Sequence, residues 1–260
     1  VYICECHKIS PIMFTVNQSE QIAFWNPLDN PKTVYDIKCP DPTIIDLKFL
    51  PSHQQKIKFA ILADTNAGSR SVKTFIFNKK LLILEERDKL SVPQLADSTS
   101  SIIIPFDIID NEKPAFLVLG TYTITSVYKT SVTNTDAPFK SSPTCFCKLA
   151  SSYSSLIATV TGSLYGLHCD DQLNIIEIGT LPISPTSITK IDGNIFHFGS
   201  SSGNSLFAQV TNTTIQILQI LDQFTPVNSF STYCETTGSI FLTQGDEHFS
   251  RISELKTGMS

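Results

Sequence analysis

The chain has 260 residues, 41% of them hydrophobic and 17% charged, with a formal net charge of −5, so it is long enough to bury a core without disulfides or metals. Only three arginines, Arg70, Arg87 and Arg251, stand in this acidic balance, which argues against a nucleic-acid-binding surface. No apolar run approaches the roughly 18 residues that a membrane helix needs, so no membrane-spanning helix is expected.

Ile, Val, Thr and aromatic residues outweigh the strong helix formers, which points to an all-β chain. The sequence opens Val1-Tyr2-Ile3-Cys4-Glu5, without initiator Met or signal-peptide pattern, and reads as a piece of a longer protein. Pro11 to Val16 predicts a strand, Asn17-Gln18-Ser19-Glu20 a turn, and Gln21 to Trp25 the returning strand. Ile44 to Leu50 and Ile57 to Ala63 follow, then the turn Asn66-Ala67-Gly68-Ser69 and the pair Val72 to Phe77 and Leu81 to Leu84. Ile102 to Ile109 comes next, then Ala115 to Leu119 and Tyr122 to Tyr128, joined through Gly120-Thr121. Ser91 to Ser101 and Val132 to Ser142 are polar and contain proline, and are expected to be surface loops.

In the second half, Leu156 to Val160 meets Leu164 to His168 across Thr161-Gly162-Ser163. Asn194 to Gly199 and Ser205 to Val210 flank Ser200-Ser201-Ser202-Gly203-Asn204, and Ser239 to Leu242 pairs with Phe249 to Leu255 around Gly245-Asp246. No run of about ten residues carries a helical apolar stripe. About twenty strand candidates at spacings near ten residues suggest a sandwich, a barrel or a propeller. At four strands per blade of about 40–45 residues, the chain holds about five to six blades. Ile102-Ile103-Ile104 and Ile175-Ile176 are apolar on both faces, as strands between stacked sheets must be. The fold expected is therefore all-β, a partial WD40-like β-propeller, one segment over residues 1–260.

Within this frame, Ile191-Asp192-Gly193-Asn194-Ile195-Phe196-His197-Phe198-Gly199-Ser200, then Gly203-Asn204-Ser205-Leu206, resembles the first propeller of the large subunit of the damaged-DNA-binding protein. That family also includes the large subunits of the cleavage/polyadenylation and splicing complexes and adaptors of heterochromatin silencing. Weaker matches lie in the same order at Ile45 to Leu50, Arg70 to Thr74 and Gly162 to Tyr165. The resemblance implies a seven-bladed propeller present in part, belonging to a larger multi-propeller scaffold without catalysis. It implies protein partners: a substrate receptor here, and a cullin-4 ligase through another part of the full-length protein. It implies nucleic acid only as an indirect partner, a nuclear location with or without a cytoplasmic pool, no membrane and no cofactor. The receptor contacts of the resembled branch fall on Ser201 and Ser202, then on Pro226, Val227 and Asn228. This chain departs there: two serines stand where the family tends to have Arg and an apolar residue, and Asn228 replaces an apolar residue. It also ends differently, at Arg251 to Gly258, where the family has a basic-apolar-apolar-basic-Asn-Gly run. Loss of Arg and aliphatic anchors removes the residue types that dominate binding, which suggests a different receptor set, as in a silencing-type adaptor.

The seven cysteines are an odd number, mostly among apolar neighbours, and favour reduced thiols in cytosol or nucleus. Two glycosylation-type triplets, Asn17-Gln18-Ser19 and Asn212-Thr213-Thr214, count against this only weakly. Cys4-x-Cys6-His7 and Cys145-x-Cys147 lack the second pair that structural zinc uses, and residues i and i+2 share a strand face, so both pairs are expected to point into a core. His168 beside Cys169-Asp170-Asp171 could hold a cation or act as a base, against the simpler reading of a solvated turn. His197 is expected to be a hydrogen-bonded core residue, Asp46-x-Lys48 strand-edge charge, and Lys79-Lys80 with Glu85-Glu86 a solvated turn. Trp25 reads as a core anchor rather than a stacking platform. Gly199 to Asn204 lacks the Lys and the following helix of a phosphate cradle. The expected function is a non-catalytic scaffold of a cullin-4-type ubiquitin ligase complex in DNA repair or heterochromatin silencing. The alternatives are a scaffold subunit of an mRNA cleavage/polyadenylation or splicing complex, and a propeller hydrolase.

Overall fold

The structure is a computed structural model describing residues 3–6, 13–16, 21–25, 33–38, 43–53, 56–64, 70–78, 83–91, 102–106, 115–128, 132–149, 154–169, 172–222, 227–234, 239–245 and 250–256. Every regular element among these residues is a β-strand. The chain divides into two compact units, Val1–Ala137 and Pro138–Ser260.

Among the described residues, the first unit holds three sheets. β1 (Ile3–Cys6), β2 (Met13–Val16), β3 (Gln21–Trp25) and β4 (Thr33–Lys38) form the first; β5 (Thr43–His53), β6 (Lys56–Asp64), β7 (Arg70–Asn78) and β8 (Ile83–Ser91) the second; β9 (Ile102–Pro105), β10 (Phe116–Leu119), β11 (Thr123–Val127) and β12 (Val132–Asp136) the third. The second unit repeats the plan. β13 (Pro143–Lys148), β14 (Ser154–Thr159), β15 (Ser163–Cys169) and β16 (Leu173–Thr180) form the fourth sheet; β17 (Pro185–Asp192), β18 (Ile195–Ser200), β19 (Asn204–Val210) and β20 (Ile215–Asp222) the fifth; β21 (Val227–Cys234), β22 (Ser239–Gly245) and β23 (Ser250–Lys256) a sixth of three strands. Each sheet is an antiparallel meander in sequence order. In the first unit β5 lies against both β1 and β9, and in the second β17 lies against both β13 and β21.

β6 shows why this sequence stacks its sheets. In Lys56-Ile57-Lys58-Phe59-Ala60-Ile61-Leu62-Ala63-Asp64 the charges sit near the ends and the middle is apolar on both faces. Ile57, Phe59, Ile61 and Ala63 join one buried cluster with Ile22, Leu47, Phe75 and Phe77. Ala60 and Leu62 join another with Val72, Ile103, Phe116 and Val118. Phe59 and Phe75 are register partners and stack with ring centroids 5.3 Å apart. Each fully buried Phe or Ile contributes on the order of 2 kcal/mol, so a sheet buried on both sides is stabilised twice over. The fourth and fifth sheets share a third cluster, including Leu156, Ala158, Leu164, Phe196, Phe198, Leu206 and Val210.

The structure corrects several expectations. Val132 to Asp136 is a strand, not loop: it pairs with β11 as the last strand of its sheet, and its Thr and Asn side chains are exposed. An edge strand in water can be polar throughout, so its composition imitates a loop. Glu85 and Glu86 lie within β8, paired with Ile76 and Phe75, rather than in a turn. Ser91 is the last residue of that strand.

Asp46 is not edge charge. It is buried, and its carboxylate accepts the Leu47 N–H at 2.8 Å and the Ile103 N–H at 2.7 Å, with Lys48 Nζ 3.4 Å away. A break in register between Ile44 and Asp46 accompanies this arrangement, which ties β5 to the next sheet. His197 is buried as expected, but neither ring nitrogen has a hydrogen-bond partner. It shares a face of the fifth sheet with Phe207, its register partner, at a centroid distance of 5.2 Å. Burial holds its pKa down at about 4, because a charged imidazolium would be stranded there. Trp25 lies in β3 between Met13 and Thr33. Lys79, Lys80, Cys39, His7 and His248 lie outside the described residues.

Candidate protein-docking site

The turn between β18 and β19 is built from its serines and one glycine. Ser200 is buried, and its hydroxyl lies 2.9 Å from Ser202 Oγ and accepts the Ser202 N–H at 3.3 Å. The Gly203 N–H donates to the Ser200 carbonyl at 3.1 Å, closing the turn. Gly203 has φ of 90°, in the left-handed region that glycine reaches without strain. Ser201 and Ser202 stand exposed at the tip. The tip thus offers hydroxyls on a fixed backbone and no apolar anchor.

Val227 and Asn228 open β21 on the neighbouring sheet of the same unit. Val227 pairs with Gln244, and the register then shifts before Ser231. Pro226 lies outside the described residues. The two predicted segments therefore sit on adjacent sheets, and β18 and β21 pack against one another.

The sequence reading missed a cleft of about 540 Å³ between the fourth and fifth sheets. Leu149, Leu156, Ile176, Ile178, Phe196 and Val210 give it apolar walls, while His168, Asn194, Thr211, Asn212 and Thr213 give it a polar end. Ser154 Oγ lies 2.9 Å from His168 Nδ1, fixing the ring. Gly166 opens the wall: a Cβ there would stand 3.5 Å from Ile178 Cδ1 and 3.9 Å from His168 Nε2. Ser154 is itself buried, with its hydroxyl engaged by the histidine, so this pair orients His168 rather than presenting a nucleophile. A volume of this size, apolar with a few convergent polar groups, suits a small ligand or a side chain of a partner.

The lining comes from segments between Leu149 and Thr213, and each alone reads as core or loop. Two signals were present: a glycine inside an apolar strand at Gly166, and the Asn212-Thr213 turn. That turn is pinned by Thr211, whose Oγ1 lies 2.7 Å from Thr214 Oγ1 and accepts the Thr214 N–H at 3.1 Å. Asp170 and Asp171 lie outside the described residues.

Cys145 and Cys147 share one face of β13, packed against the cluster between the fourth and fifth sheets, as their spacing predicted. Burial pushes the Cys145 thiol up to about 12 and raises that of Cys147. Both, with Cys169, are free thiols.

No protein-family model and no curated protein matches the chain. Solved structures do. Saccharomyces cerevisiae Sqt1 superposes with a TM-score of 0.67 at 11% identity, over 100% of this chain and 83% of that one. The β-propeller domain of Myceliophteria thermophila Cps50 (Swd1) superposes with a TM-score of 0.70 at 9% identity, over 98% of this chain and 82% of that one. At such identities the likeness is one of fold, and the fold is a β-propeller built from four-stranded antiparallel sheets.

Proposed function

We propose that the chain is a non-catalytic docking segment of a larger scaffold, acting in a nuclear complex of the cullin-4 ubiquitin-ligase or heterochromatin-silencing type. The observation that carries the docking role is the Ser200 to Gly203 turn, held by its own hydrogen bonds between the largely buried strands β18 and β19, with Ser201 and Ser202 presented to solvent. A rigid stack that displays loops binds partners without paying to order them. The finer assignment to a ligase or silencing complex rests on the ordered resemblance running from Ile45 to Leu206.

Affinity purification of the full-length protein tests this reading. Recovery of a cullin with a substrate receptor supports it, and loss of the receptor from Ser202→Asp and Val227→Asp variants places the contact. Recovery of cleavage/polyadenylation or splicing factors in place of a cullin would assign the chain to the RNA-processing branch. Unchanged receptor binding by both variants would remove Ser202 and Val227 from the contact.

A further inference from the structure

We propose that the cleft between the fourth and fifth sheets binds a free, uncharged aromatic alcohol, with its rings against Gly166 and its hydroxyl on His168. This goes beyond the docking reading and uses none of the residues at the Ser201 and Ser202 tip. Both sheets belong to the second compact unit. The volume of about 540 Å³ falls within the range of about 300–1,000 Å³ that small-molecule sites span.

The register shows how the floor is made. Leu156, Gly166 and Ile176 are partners across β14, β15 and β16, so they share one face of the fourth sheet, and all three line the cleft. Ser154, His168 and Asn174 form the next row on that face. The middle of the first row therefore has no side chain. A glycine inside a strand costs about 0.5–1 kcal/mol relative to alanine, and no bulge requires one here, because the break in register lies between Leu164 and Tyr165. A strand glycine without a bulge marks a place where another group comes close to the backbone. Phe196 and Val210 of the fifth sheet close the opposite wall. The group that enters lies between bare backbone and an aromatic ring, which suits a flat one.

Chemistry narrows the class further. A Cβ on Gly166 would stand 3.5 Å from Ile178 Cδ1 and 3.9 Å from His168 Nε2, so a group resting there meets a methyl on one side and the imidazole on the other. Ser154 Oγ holds Nδ1 at 2.9 Å. If the serine donates, Nε2 carries the proton; if it accepts, Nε2 is the acceptor. A hydroxyl on the ligand answers either form, whereas an ether or a carbonyl answers only one. No Lys, Arg, Asp or Glu is among the described residues that line the cleft. A charged ligand would lose hydration there without an ion to pair with. Asn194 and Asn212 stand exposed at the mouth.

Titration of the whole chain, methyl-labelled and followed by NMR, with 2-naphthol tests the proposal. The methyl signals of Leu149, Leu156, Ile176, Ile178 and Val210 should shift saturably. Naphthalene, which lacks the hydroxyl, should bind about fivefold more weakly for the lost hydrogen bond. Naphthalene-2-sulfonate, the same rings with a fixed charge, should bind about tenfold more weakly or worse. These comparisons use the unaltered protein, so they hold whether or not a variant folds. His168→Phe should bring 2-naphthol down to the affinity of naphthalene, and Gly166→Leu should abolish binding. Shifts that do not saturate or that fall outside the cleft, equal binding of the three compounds, or undiminished binding by a folded Gly166→Leu variant would each overturn the proposal. Partners recovered with the full-length protein should stay bound when 2-naphthol saturates the cleft; their displacement would give the cleft to a partner's side chain and overturn the free-ligand assignment. Receptor recovery by the Ser202→Asp and Val227→Asp variants has no bearing on any of these outcomes.

Discussion

Asp46 and His197 are both buried, and they place opposite demands on the fold. The Asp46 carboxylate answers two backbone N–H groups, one of them Ile103 on the neighbouring sheet. Replacing it by alanine leaves both donors without that acceptor, which costs about 2–6 kcal/mol at about 1–3 kcal/mol per orphaned group. Urea denaturation of Asp46→Ala should show a lower midpoint with an unchanged slope, and Asp46→Asn should lose less because one carbonyl oxygen remains. An unchanged midpoint would mean that the two N–H groups have other acceptors.

His197 contributes the reverse case. Its folded pKa of about 4 lies below the ordinary 6.5 because burial penalises the charged ring. The unfolded chain therefore binds more protons between those values, so stability present above pH 6.5 is lost as pH falls toward 4. The full loss is about 3 kcal/mol at about 1.4 kcal/mol per unit. His197→Phe keeps an aromatic ring beside Phe207 and removes two nitrogens that have no partner. We expect it to be no less stable at neutral pH and to flatten the acid dependence between pH 4 and 6.5. A variant retaining the wild-type acid slope would exclude His197 as its source.

At the scale of elements, ties between neighbouring sheets repeat. Thr144 Oγ1 donates to the Pro185 carbonyl at 2.6 Å and lies 3.2 Å from the Ala158 carbonyl, linking β13, β14 and β17. Thr144→Val keeps the shape and removes the donor, so thermal unfolding should show a loss of about 1 kcal/mol. The turn between β14 and β15 is less tolerant. Gly162 has φ of 85°, and a Cβ there would stand 2.6 Å from the carbonyl oxygens of Leu181 and Ile183. Gly193, with φ of 46° and nothing within 4 Å of a Cβ, carries only the backbone cost. Gly162→Ala should therefore destabilise more than Gly193→Ala, whose left-handed conformation alone costs about 1–2 kcal/mol. Equal losses in parallel urea titrations would remove the carbonyl clash as a cause.

Strand existence was legible at this scale wherever apolar runs were bounded by turn residues, as in β6, β7, β15 and β19. It was illegible in β12, whose polar side chains face water, and blurred in β8, where Ile83 was recognised but the charged run after it was not. Period-two reading detects a buried face, and an edge strand need not have one.

For the molecule as a whole, the recurring four-stranded meander and the propeller likeness agree with the architecture expected from strand spacing. The candidate sites were legible unequally. Ser201 and Ser202 announced a turn tip through Gly203, while the cleft around His168 depends on how the fourth and fifth sheets meet. The Ser202→Asp and Val227→Asp variants should keep the wild-type circular dichroism spectrum and melting temperature while losing the receptor. A lowered melting temperature in either variant would trace the loss to folding instead of contact.

Local chemistry, carried by the sequence alone, determined the strands, the glycine turns, the double-sided apolar faces and hence the stacked all-β plan. Each follows from neighbours a few residues apart. Only tertiary structure decided that Asp46 would reach Ile103 across 57 residues, that His197 would be buried without a partner, and that Gly166, His168 and Asn212 would line one cleft. Those outcomes depend on which sheet packs against which and in what register, and pairings over long separations leave no periodic trace in the chain.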